Sequence, residues 1–372
     1  MQADPAGGGP CPGLASGAQA AGGRGGARLA GRAALGAAAA ASVMAQHRLA
    51  AAQSLVRGGG DPMAARRGLA AVVLILAACA GPGPAPGPAA APPGAVTLTL
   101  PGAERPLPAE HWPARPAPRA VVLGLHGYGD RAATTFARAG PVWAEAGFDV
   151  WAYDQRGFGR NPDHRRWPGD EALIADAAAV ARHLAMTHPG LPLFVIGHSM
   201  GGGVALAAAG EGRLPPLAGL VALAPAVWGG GTLPLRYRLA AWLAATLAPE
   251  RRWTGEGVVT IRPSDNDAML AELARDPWHF ATPASRDFLG LIRLMDRALA
   301  AAPAVRAPVL IVWGVHDQVV PEAPMRALAA RIPGAEYARM PRGWHMLLRD
   351  LHAAEVHRLV QDWMIRHVPD PA

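Results

Sequence analysis

Lysine is absent from this sequence, and all 35 basic side chains are arginine. That uniformity reads as a compositional habit of the source rather than a functional device. Cysteine is almost absent as well. Cys11 and Cys79 are the only two, both ahead of residue 80, so no disulfide framework, CxxC zinc pattern or cysteine nucleophile can be assembled in the rest of the chain. No HExxH, EF-hand loop or complete GxGxxG occurs, so neither a metal nor a dinucleotide cofactor is indicated. Acidic residues are fewer than basic ones, 28 against 35, for a net charge of +7. Such a surplus would ordinarily point to nucleic acid or an anionic surface. Its location removes that argument. Seven arginines against Asp4 and Asp61 place +5 of the surplus before residue 68. The remainder is close to neutral, and nucleic-acid binding is excluded.

At 372 residues the chain is long enough to bury one large core with an inserted subdomain, or two small domains. Its beginning takes no part in that core. Residues 1–62 carry no periodic apolar pattern and read as a low-complexity, disordered or misassigned leader. A second start at Met63 makes better sense. Arg66-Arg67, the apolar run from Gly68 to Ala78 and then Leu76-Ala-Ala-Cys79 have the layout of a secretory signal over 63–78. The run falls short of the roughly 20 residues that a membrane-spanning helix needs. Leu-Ala-Ala-Cys resembles a bacterial lipobox, which implies acylation of Cys79, a lipid-anchored mature N-terminus and a place in the bacterial cell envelope. Ala80 after the cysteine resembles sorting to an outer membrane. Residues 79–94 form a Pro/Gly/Ala linker, extended and semi-rigid, that suits a tether.

From Val96 onward, short apolar runs alternate with longer helical stretches, as in a mostly parallel sheet covered by helices. Val121–Leu125, Val150–Tyr153, Phe194–Ile196, Leu220–Leu223 and Val309–Trp313 suit strands buried on both faces. A last strand is expected over Glu336–Met340. Glu171–Thr187 and Val204–Ala209 read as helices, and a closing helix is expected from Met346 to about Arg366. Residues 228–305 break the alternation with helical sequence and are expected to form a cap over the sheet's C-terminal edge, where such folds place ligands. The core is then 95–227 and 306–372.

Gly197-His198-Ser199-Met200-Gly201 fits G-x-S-x-G between a strand and an Ala-rich helix. A turn that tight needs glycine on both sides and pushes Ser199 Oγ out above the sheet as a nucleophile. The Met200 N–H, at the helix start, can donate to a developing oxyanion. His126-Gly127-Tyr128-Gly129-Asp130 follows an earlier strand, and its Tyr128 N–H is the second candidate donor. Asp317 follows the strand ending at Trp313 and is placed to orient an imidazole. His345, in the loop before the closing helix, can take the serine proton and return it. The order Ser, Asp, His agrees with this architecture.

On these residues the sequence resembles the monoacylglycerol lipase and lysophospholipase-like α/β hydrolases, a group that includes serine aminopeptidase-like domains. The resemblance runs over about Val96 to Val368. It also includes Tyr153-Asp-Gln-Arg-Gly-Phe-Gly159, Ser264-Asp265 and Arg275-Asp276-Pro277. Arg160-Asn161 departs from it, since a small serine often follows the Arg-Gly-x-Gly run. Arg156 is expected to brace loops near the oxyanion turn. The resemblance implies an α/β-hydrolase fold with a helical cap, no cofactor, and a serine carboxylester hydrolase acting on monoacyl lipids through an acyl-enzyme. Cleavage of N-terminal amides or small esters is the rival activity, and a non-catalytic binding protein tethered to the envelope is the rival class. In the cap, Leu233, Leu235, Leu239, Trp242, Leu243 and Leu247 lie among Arg236, Arg238, Arg251 and Arg252. That pattern suits a lipid surface or, equally, packing onto the core, and the cap is expected to line an acyl tunnel with Trp242 among the substrate contacts.

Overall fold

The computed structural model describes residues 91–115, 117–229, 233–253 and 261–368. The chain divides into two units, Met1–Ala77 and Ala78–Ala372, and every described residue belongs to the second. The leader, the signal-like segment, Cys79 and most of the linker lie outside the described residues.

The apolar runs become strands of one eight-stranded sheet. In chain order they are β1 Val96–Pro101, β2 Pro106–Trp112, β3 Ala120–Leu125, β4 Phe148–Tyr153, β5 Leu193–His198, β6 Gly219–Leu223, β7 Val309–Gly314 and β8 Glu336–Met340. They lie side by side as β1-β2-β4-β3-β5-β6-β7-β8. The β1–β2 and β2–β4 pairs are antiparallel and all the others parallel. Strands β3, β5, β6 and β7 are buried at every position, which is why they read as continuous apolar runs rather than alternating ones. The two-residue period still sorts their side chains. Val121, Leu123, Val195, Leu220 and Ile311 join one core cluster, whereas Val122, Phe194, Ile196, Val221 and Val312 join a second.

Helices cover both faces. On the first face α3 Asp170–Thr187 packs Leu173, Ile174, Val180 and Leu184 into the core, and α4 Met200–Gly210 packs Val204 and Leu206. On the second, α1 Ala132–Phe136, α2 Ala139–Glu145 and the closing α9 Ala353–His367 supply Phe136, Trp143, Val356, Val360 and Trp363. Between β6 and β7 lie α5 Leu235–Leu247, α6 Asp267–Arg275 and α7 Ser285–Ala301, and α8 Glu322–Arg331 precedes β8. Helix α7 falls inside the expected cap span, yet its Leu294, Ala298 and Leu299 share the first-face core cluster. Among the described residues no helix is long and apolar enough to cross a membrane.

The closing helix starts seven residues later than its apolar pattern suggests. Residues 346–352 form turns instead. The Met346 N–H is committed to the Pro263 carbonyl at 3.1 Å, and Asp350 turns back to accept from the Trp344 N–H at 2.8 Å. Side chain-to-backbone bonds of this kind compete with the helical ladder.

Candidate active site

The chain leaves β5 through Ser199, whose backbone has φ +52° and ψ −115° just before the first turn of α4. A non-glycine residue rarely adopts a positive φ, and such strain persists only where the surroundings impose it. Here the Ser199 N–H donates to the Leu223 carbonyl and its own carbonyl accepts from the Gly203 and Ala226 N–H groups, and the flanking glycines make room for the turn. A Cβ at Gly197 would lie 2.4 Å from the Gly201 carbonyl oxygen, and one at Gly201 would lie 2.3 Å from that of Leu125. No larger residue fits either place.

His345 and Asp317 arrive from the loops after β8 and β7. His345 Nδ1 lies 2.8 Å from Asp317 Oδ2, and its Nε2 lies 3.1 Å from Ser199 Oγ. Asp317 Oδ1 already accepts from the Val319 and Val320 N–H groups at 2.7 and 2.9 Å. Burial would raise this carboxyl's pKa, but the His345 contact and the two backbone donors outweigh it and hold the pKa below the ordinary carboxylate value. An ionised carboxylate only accepts, so His345 Nδ1 carries the ring proton, and in the neutral imidazole Nε2 is left to accept from the Ser199 hydroxyl. The Asp317 side chain is fully buried, and the His345 side chain is 8% exposed.

The turn after β3 lies against the same serine. A Cβ at Gly127 would sit 3.4 Å from Ser199 Cβ. His126 fixes this turn from inside: its Nε2 accepts from the Gln155 N–H at 2.8 Å, so its Nδ1–H donates to the Gly127 carbonyl at 2.8 Å. Burial lowers the pKa of this imidazole and keeps it neutral. Among the described residues neither the Tyr128 N–H nor the Met200 N–H donates to a protein backbone acceptor, so both amides remain available beside Ser199. The Tyr128 ring packs edge-on against Phe158 and Phe280, and its hydroxyl donates to Asp287 Oδ2 on α7 at 2.7 Å. His198 is turned away from the nucleophile. Its Nε2–H donates to the His345 carbonyl at 2.9 Å, which steadies the loop that carries His345. Burial, and after it the nearby His345 and Arg349, push its pKa down to about 3.

Several residues singled out from the sequence receive partners here. Arg156 pairs with Asp176 through Nε and Nη2 at 2.9 and 2.7 Å, tying the loop after β4 to α3. Arg160 donates to Asp154 from Nε at 2.7 Å. Asn161 Nδ2 donates to the carbonyls of Asp154, Gln155 and Phe158. The departure at 160–161 thus stabilises its own loop. Ser264 donates to Asp350 at 2.6 Å, and Asp276 pairs with Arg131 at 2.8 Å. Among the described residues Trp242 makes no hydrogen bond or ring contact with Ser199, His345 or Asp317; its carbonyl accepts from the Thr246 hydroxyl. It stands on α5, 51% exposed. Among the described residues no cluster of His, Cys, Asp and Glu is placed to hold a metal ion.

Comparison with known proteins agrees with this fold. Residues 116–352 match the family described as serine aminopeptidase, S33. A monoacylglycerol lipase of Mycolicibacterium smegmatis is 29% identical over 272 residues, covering 69% of this chain and 92% of that one. Human monoglyceride lipase is 31% identical over 120 residues, 32% of this chain and 38% of its own length. Among solved structures, a Saccharomyces cerevisiae monoglyceride lipase variant superposes with a TM-score of 0.64 at 21% identity, covering 78% of this chain and 99% of that one. A Paleococcus ferrophilus monoacylglycerol lipase gives 0.60 at 22% identity, covering 70% and 99%.

Proposed function

The chain belongs to the serine aminopeptidase S33 family of α/β hydrolases, and from that premise we propose that it hydrolyses the ester bond of monoacyl lipids, monoacylglycerols first. The observation that carries this reading is the hydrogen-bonded line from Ser199 through His345 to Asp317. Ser199 Oγ attacks the ester carbonyl as His345 Nε2 takes its proton, and Asp317 stabilises the resulting imidazolium. The Tyr128 and Met200 amides hold the oxyanion. His345 then protonates the departing alkoxide, leaving an acyl ester on Ser199. Water, activated by the same imidazole, releases the fatty acid and restores the serine.

Two further observations favour a lipid substrate over an aminoacyl amide. The relative aligned over most of its length is a monoacylglycerol lipase. The cap also exposes an apolar stripe: Leu235, Leu239, Leu243 and Leu247 of α5 are 79%, 59%, 48% and 68% exposed, with Trp242 beside them. The alternative, packing inward, describes Leu233, which is 8% exposed in a small cluster with Ala241 and Ile292, but not the four leucines of α5. The test is a panel of monoacylglycerols, lysophospholipids, nitrophenyl esters and aminoacyl amides assayed with wild type and Ser199→Ala. Wild type should turn over monoacylglycerols with kcat/KM rising as the chain lengthens, and Ser199→Ala should be inactive yet folded. A preference for aminoacyl amides would transfer the assignment to peptide chemistry, and equal activity in Ser199→Ala would remove the nucleophile.

The proposal includes an anchor. Acyl chains on Cys79 would hold the enzyme at a bacterial envelope membrane, provided that more than one chain is attached. Mass spectrometry of the native mature protein should find acylated Cys79 at the N-terminus. An unmodified terminus beyond it would leave a protein with no lipid anchor.

A further inference from the structure

Tyr128 stands between two glycines in the turn after β3. Gly129 has φ +70°, a conformation that glycine adopts freely and other residues rarely do. Such a turn has little stiffness of its own, yet a donor to an oxyanion has to be aimed before the charge develops. Contacts from outside must therefore hold it. Two of them act on the backbone. The Gly127 carbonyl accepts from His126 Nδ1–H at 2.8 Å, and the Gly129 carbonyl accepts from the Phe280 N–H at 2.9 Å. They fix the two ends of the turn.

The third acts on the tyrosine side chain, the one side chain between those ends. The Tyr128 hydroxyl donates to Asp287 Oδ2 at 2.7 Å. Burial, and after it the adjacent Asp287, raise the phenol's pKa, so the hydroxyl keeps the proton it donates. Asp287 is 1% exposed, and the same Oδ2 accepts from the Ala284 N–H at 3.0 Å. That bond ties the carboxylate to the start of α7, and further along α7 Leu294, Ala298 and Leu299 sit in the first-face core. With Phe158 and Phe280 packed edge-on against the ring, the side chain forms a strut from an anchored helix to the turn beside Ser199.

We propose that Asp287 is a positioning residue for ester hydrolysis, holding the Tyr128 N–H in line with the developing oxyanion through the Tyr128 hydroxyl. The proposal rests on the serine-esterase reading above and makes the site depend on the start of α7. Loosening the strut should cost rate rather than substrate binding, because the oxyanion exists only once Ser199 has attacked.

Tyr128→Phe and Asp287→Ala, assayed on a monoacylglycerol and on a soluble butyrate ester, test it. Removing an oxyanion donor outright costs about a hundredfold or more in kcat, so loosening one should cost about tenfold. Each variant should lower kcat by that factor on both esters, with KM within about twofold of wild type. The double variant should be no slower than the slower single, because both substitutions remove one bond. An alkyl trifluoromethyl ketone supplies a readout that a purely structural role would not move. Ser199 Oγ adds to its carbonyl carbon, the carbonyl oxygen takes the negative charge, and the serine proton passes to His345 Nε2. Its inhibition constant should rise about tenfold or more in both variants, while a non-hydrolysable ether analogue, which forms no oxyanion, should bind as it does to wild type. Asp287→Ala also strips the Ala284 N–H of its acceptor, so Tyr128→Phe, which leaves α7 whole, keeps the test readable if that variant fails to fold. A kcat in Tyr128→Phe within about twofold of wild type overturns the proposal, as does equal weakening of ketone and ether. A wild type inactive on both esters would remove the esterase reading itself, whereas an active wild type with an unaffected Tyr128→Phe removes only the role of Asp287.

Discussion

Replacing Asp317 by asparagine changes a single atom of the side chain and separates the carboxylate's charge from its shape. The Val319 and Val320 N–H groups need an acceptor at Oδ1, so the amide oxygen is held there and the NH₂ is turned toward His345. The imidazole must then accept at Nδ1 and carry its proton on Nε2, facing Ser199, where it cannot act as a base. Asp317→Asn should lower kcat by about four orders of magnitude with little change in KM. Steady-state kinetics beside a thermal melt check this, and a loss of less than tenfold would mean that the carboxylate is not orienting the base. Such residues were legible in the sequence because each belongs to a short motif with a defined place at a strand end. Their supports were not. Tyr128 with Asp287, Asp130 with Arg349 and Ser264 with Asp350 join residues 159, 219 and 86 positions apart, and nothing in the local pattern of either partner announces the other.

The exposed stripe of α5 yields the prediction that belongs to elements. Leu239 and Leu243 lie four residues apart on one side of the helix, 59% and 48% exposed, while Ala241 is the buried residue of this helix. Leu239→Asp with Leu243→Asp should therefore cost little stability. If the stripe meets a lipid surface, the double variant should lose about tenfold or more in rate on monoacylglycerol in vesicles, because each side chain forfeits its transfer from water. Its rate on a soluble butyrate ester should stay within about twofold. Equal losses on both substrates would show that the stripe shapes the Ser199 pocket instead. The buried parallel strands were readable as apolar runs, and α3 as a helix rich in alanine and leucine. Strands β1 and β2 were not, since Pro106 and Pro108 fall within β2 and proline ordinarily argues against a strand. β2 tolerates them because β4 pairs only with its later part, from Ala109 to Trp112, so the proline end of β2 has a strand partner on one side alone. The start of α9 was misjudged for a related reason. Met346, Leu347 and Leu348 continue the apolar pattern, but the polar bonds around Asp350 hold them as turns.

On the scale of the whole molecule, the pair of Asp130 and Arg349 ties the turn beside Ser199 to the segment that leads into the closing helix. Both side chains are 4% exposed, so the partners are each other's main compensation for lost hydration. Burial would raise the Asp130 carboxyl's pKa, but the Arg349 charge, with smaller help from His279 and Thr134, holds it well below the ordinary value of 3.8. The sign follows from linkage: a carboxyl whose folded pKa is depressed stabilises the fold at pH values above its unfolded pKa. That contribution fades as pH falls through about 4 and is gone only below the folded value. Glu110 and Asp350 act in the opposite sense, because burial raises both of their pKa values, and the slope of the wild type alone would mix the two. The difference between wild type and Asp130→Asn isolates the pair. Urea unfolding at pH 7 should find the variant about 3–5 kcal/mol less stable, since removing one partner leaves a buried guanidinium without its counter-charge. Repeating the measurement down to pH 3 should leave that gap unchanged to about pH 5 and narrow it below about pH 4, as the wild type gives up what the variant never had. A gap that stays constant from pH 7 to pH 3 would mean that Asp130 contributes shape and hydrogen bonds rather than charge.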